Sequence, residues 1–68
     1  MTALQHNNLR FYTLSITEST DEAERMAQEF EDKFDALSKY DKMDIDFVIQ
    51  LDGWEEAFEK INMFCENY

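Results

Sequence analysis

The sequence predicts an α+β fold: a small two-layer β-α-β-α domain, with two amphipathic helices packed on one face of a small sheet. Three observations carry this expectation. Residues 9–17 and 43–51 alternate with period two, the mark of a strand with one buried face. Two other stretches repeat apolar residues at steps of three and four, the mark of a helix with one buried stripe. Each of those follows a good N-cap residue with a glutamate three positions on, Ser19 with Glu22 and Asp52 with Glu55.

In order along the chain, LRFYTLSIT at 9–17 is rich in β-branched and aromatic residues. As a strand it turns Tyr12, Leu14 and Ile16 to the core and Phe11, Thr13 and Ser15 outward. Residues 2–5 offer a weak third strand, with His6, Asn7 and Asn8 as its turn; otherwise residues 1–8 are expected to be mobile. From Ser19, the stripe Ala23, Met26, Ala27, Phe30, Phe34 and Leu37 predicts a helix running to Ser38 or Lys39. Asp21 and Glu22 suit its first turn, and Lys39 and Lys42 its C-terminal end. MDIDFVIQL at 43–51 is the clearest alternation, with Met43, Ile45, Phe47, Ile49 and Leu51 on one side. Gly53 eases the turn into the last helix. There Trp54, Ala57, Phe58, Ile61, Phe64 and Cys65 form the stripe, and the helix is expected to end near Asn67 and Tyr68.

Sixty-eight residues make a single domain, 1–68. The aromatic content, 15%, opposes disorder. Two strands alone are marginal in water, so two copies pairing edge to edge into a homodimer are an alternative to a lone sheet. No apolar run is long enough to span a bilayer. The first eight residues lack the basic start and apolar centre of a signal peptide, and the lone Cys65 leaves no internal disulfide, so the cytoplasm is the expected compartment.

Charge is the feature that bears on function. The formal net charge is −10, and the only charge in residues 1–17 is Arg10. A domain this acidic repels nucleic acid and anionic membrane and attracts basic surfaces. On the first helix Glu24, Glu31 and Asp35 fall on one line, and on the second Glu55, Glu59 and Glu66 do the same. Helix neighbours at i and i+4 lie about 6 Å apart. Asp44 and Asp46 on one strand face lie about 6.6 Å apart. These spacings resemble successive phosphates along a nucleic-acid strand.

The leading expectation is therefore an acidic inhibitor that mimics nucleic-acid charge and occupies the basic surface of a nucleic-acid-binding protein. Its contact residues would be Glu24, Glu31, Asp35, Asp44, Asp46, Glu55 and Glu59. In size and charge, though not in motif, the chain resembles the small acidic inhibitors that bacteriophages use against host nucleic-acid machinery, such as anti-restriction, anti-CRISPR and repair-enzyme inhibitors. The alternative is an acidic interaction module such as an immunity protein, an antitoxin or a regulatory subunit. That module would use a localised patch with aromatics at its centre. Phe11, Tyr40 and Tyr68 are the aromatics expected to be exposed; Phe11 either anchors a dimer or partner contact or lies under the N-terminal segment.

Catalysis, metal and cofactors are not expected. Counting an EF-hand loop from Asp44 places Ile49 where glycine is required. His6 is the only histidine and is expected in the mobile N-terminal segment, and Cys65 falls on an apolar stripe as a small hydrophobe.

Overall fold

The computed structural model describes residues 1–66, with side chains through Phe64. Four helices account for the fold: α1 (Ala3–Ile16), α2 (Thr20–Ala36), α3 (Lys39–Leu51) and α4 (Trp54–Glu66). Among the described residues there is no strand, so the α+β, β-α-β-α expectation is corrected to an all-helical one. The two helices expected from their stripes form α2 and α4. Both expected strands, and the weak third strand at 2–5, lie in helices α1 and α3. Pairing of two copies through strand edges falls with the strands. Cys65, Glu66, Asn67 and Tyr68, which carried the end of the last stripe and acid line, lie outside the described side chains.

The physical reasons are local. Thr2 is the N-cap of α1, its hydroxyl accepting from the Gln5 amide at 3.1 Å while the Gln5 side chain accepts from the Thr2 amide at 3.1 Å. This reciprocal pair satisfies two donors that would otherwise lack partners and starts a helix where a strand or mobile arm was expected. Asn7 and Asn8, read as a turn, lie inside α1. Ser38 does the same for α3, its hydroxyl accepting from the Asp41 amide at 3.3 Å. Lys39 and Lys42 therefore belong to the start of α3 and not to the end of α2, which stops at Ala36.

The chain divides into two compact units, Met1–Glu31 and Asp32–Tyr68, with α2 contributing to both. In the first unit Leu9, Thr13, Ala23, Ala27 and Phe30 are buried. Leu9 and Thr13 are one helical turn apart, so the period in α1 is four and not two. The buried Thr13 hydroxyl donates to the Arg10 carbonyl at 3.1 Å, which makes a polar group acceptable there. In α2, Ser19 accepts the first backbone bond, from Ala23, at 3.0 Å, and its hydroxyl lies 3.5 Å from the Glu22 amide.

In the second unit α3 and α4 pack as a helical hairpin. Ile45, Ala57 and Ile61 are buried, with Val48, Ile49, Trp54 and Phe58 half-buried. Phe34 and Leu37 are also buried there. Lys42 places its ammonium 6.0 Å from the centre of the Phe34 ring, and Lys33 donates to the Asn62 side chain at 2.8 Å. The hairpin turns at Asp52 and Gly53, whose amides both donate to the Val48 carbonyl, at 2.8 and 3.0 Å. Asp52, expected to cap α4, is instead the C-cap of α3. Gly53 takes a φ of +92°, the left-handed backbone that closes a helix economically only with glycine.

Candidate protein-interaction surface

The charged residues of the first unit are organised around Arg10. Its Nε donates to Glu24 at 3.2 Å and its Nη1 to Glu31 at 3.1 Å. Nη1 also lies 3.0 Å from His6 Nδ1, and that nitrogen is paired with the same Glu31 carboxylate. Arg10 and Glu31 are largely buried at the side-chain level, 20% and 15% exposed, whereas Glu24 remains open. His6, Arg10, Leu9 and Thr13 share one side of α1, and the ion pairs turn that side toward α2. Two of the acids expected to meet a partner are thus engaged by the only cationic side chain in residues 1–17.

The other expected contact acids fall as follows. Asp35, Glu55 and Glu59 are exposed. Glu55 and Glu59 stand one turn apart on α4, with Glu56 beside them. Asp44 is exposed and Asp46 half-buried, and as residues i and i+2 of a helix they point to different sides, not along one strand face as expected. The seven acids therefore do not act as one uniform ladder of free charges.

What the helical register of α3 does gather is apolar. Tyr40, Met43, Phe47 and Leu51 recur at steps of three and four and fall within one narrow arc of the helix. All four are between 49% and 80% exposed. Met43 and Phe47 line an open hollow with Asp46 and Gln50. Helical geometry places Asp44 on one flank of this stripe and Asp46 on the other. The opposite side of α3, carrying Ile45, Val48 and Ile49, faces the hairpin interior. Monomeric proteins rarely leave a row of large apolar side chains in water without a use for it.

Sequence reasoning assigned Met43, Phe47 and Leu51 to a buried strand face and so missed the stripe. The spacing Tyr40, Met43, Phe47, taken with the Ser38 cap, is the signal that finds it. Tyr40 and Phe11, named from the sequence as exposed aromatics, are both exposed.

No helix among the described residues is long and apolar enough to cross a membrane. Comparisons with protein-family models, with curated proteins and with solved structures find no match to this chain.

Proposed function

We propose that this protein is an acidic interaction module of the cytoplasm that binds a basic, amphipathic helical segment of a partner protein on the outer face of α3. One observation carries the reading: the exposed row Tyr40, Met43, Phe47 and Leu51 runs between Asp44 and Asp46. A helix with apolar anchors at the same spacing and Lys or Arg beside them fits such a surface by both packing and charge. Aromatic anchors at the centre with charges at the rim are the usual anatomy of a binding hot spot. The role is binding and not catalysis. A lone Cys65 suits a reducing compartment.

Charge mimicry of nucleic acid is the second reading, and Glu55, Glu56 and Glu59 on the open side of α4 favour it. It is the weaker one because Glu24 and Glu31 are held by Arg10 and His6, and Asp44 and Asp46 diverge.

Two synthetic peptides of equal positive charge separate the readings. One is an amphipathic helix with Leu on one face and Lys flanking it; the other is a Lys-rich peptide without an apolar face. The amphipathic peptide should bind much more tightly, with amide shifts centred on α3. Phe47→Ala should weaken it by about 30-fold, the roughly 2 kcal/mol of a hot-spot residue, with the helical content unchanged. Equal binding of both peptides, indifferent to Phe47→Ala and abolished by moderate salt, would replace the α3 reading with charge mimicry.

A further inference from the structure

The outer side of α1 is exposed, largely apolar and free of acids. Leu4, Asn7, Phe11 and Leu14 recur at steps of three, four and three, the a and d positions of a two-heptad seam. Leu4, Phe11 and Leu14 are between 45% and 71% exposed, and Asn7 is exposed. The residues that share this side, Ala3, Asn8 and Ser15, are exposed and uncharged. Arg10 lies at its edge but is committed to Glu24 and Glu31. In a chain of net charge −10, this is an apolar face with no acid on it.

We infer that this face of α1 is a self-association surface, and that its occupant is the same face of a second copy. Charge selects the occupant. A basic partner finds no carboxylate here to pair with, so the attraction that recruits such a partner to α3 is absent. Two copies, by contrast, can meet along this face of α1 with no carboxylate in the seam. The spacing is also self-complementary. Positions 4, 7, 11 and 14 are symmetric about residue 9, so an antiparallel, two-fold pair sets Leu4 against Leu14 and Asn7 against Phe11.

Size sets the strength. A helix of 14 residues is about 21 Å long. One such pair falls below the roughly 1,200 Å² that separates weak from stable interfaces. The dimer is therefore a weak one, with a dissociation constant on the order of 10–100 µM. Asn7 at a seam position, set against Phe11 of the other copy, costs affinity.

Sedimentation equilibrium of the full chain tests this, from about 10 µM to about 1 mM protein at about 0.05 M and about 0.5 M salt. The mass should rise from 8.2 kDa toward twice that value. The dimer should tighten several-fold in high salt, because screening relieves repulsion between two acidic bodies and the seam itself holds no ion pair. Phe11→Glu should leave a monomer with helical circular dichroism intact, and Phe47→Glu should leave the dimer unchanged. Asn7→Leu should tighten it about tenfold, a gain that no loss of folding can imitate. A monomer throughout the range overturns the inference. So does a dimer that salt dissolves, or one that Phe47→Glu breaks and Phe11→Glu spares; the last would move self-association to α3. Because binding of the basic peptide to α3 weakens with salt, failure of either surface leaves the other separately measurable.

Discussion

Phe30→Ala should leave most molecules unfolded at room temperature. Among the described residues Phe30 is the largest fully buried side chain, 1% exposed, on the side of α2 that also carries the buried Ala23 and Ala27. Truncating such a ring removes its transfer free energy and leaves a cavity, at a cost of about 3–5 kcal/mol. A core in a chain this short rarely supplies more than about 3–5 kcal/mol in total. The substitution therefore spends nearly all of it. The measurement is urea denaturation followed by circular dichroism, with Phe11→Ala as the control. Phe11 is exposed, so at protein concentrations too low for self-association its truncation should shift stability by no more than about 0.5 kcal/mol. Comparable losses from both variants would mean that Phe30 does not anchor the first unit.

Arg10→Ala is the second large effect, and its origin is electrostatic. Removing the guanidinium takes away two charge-assisted hydrogen bonds and leaves the Glu31 carboxylate, mostly screened from water, with His6 alone. The expected loss is about 2 kcal/mol. Arg10 is also one of only six bases, so the variant adds self-repulsion that salt should partly relieve. Glu31→Gln in the same chain should restore part of the stability, since a neutral amide tolerates the site better than a carboxylate that has lost its guanidinium. In a double-mutant cycle the pair should fall well short of additive. Additive losses would show that Arg10 and Glu31 act independently and that the ion-pair cluster contributes little.

The helices α2 and α4 were readable in the sequence because their apolar residues repeat at steps of three and four over several turns. The other two were not, and the cause is visible residue by residue. In 43–51 the residue types alternate, yet burial does not: Ile45 is buried, whereas Met43, Phe47 and Leu51 stand in water. Hydrophobic residues placed on both sides of a helix, one side for the interior and one left exposed, imitate the alternation of a strand. In α1 the same happens with Leu9 inside and Phe11, Leu14 and Ile16 outside. The deciding information was short-range: Thr2 with Gln5 and Ser38 with Asp41 are cap spacings that outweigh β-branched composition over one or two turns. The acids of the expected contact set are plain in the sequence. Their pairing with Arg10 depends on which side of α1 meets α2, which no pattern within either segment reveals.

The turn between α3 and α4 has a consequence for chirality. Gly53 holds a φ of +92°, and a methyl group built at its Cα meets no atom within 4 Å. What keeps glycine there is therefore handedness and not bulk. An L-alanine has room but is forced into a backbone region it avoids, so Gly53→Ala should destabilise the hairpin by about 1 kcal/mol. Its mirror image, D-alanine, prefers that same region and restricts the unfolded chain, so a synthetic protein carrying D-alanine at 53 should melt higher than the natural one. A 68-residue chain is within reach of chemical synthesis, and the sign of that melting shift reads the handedness of a single residue in the folded protein.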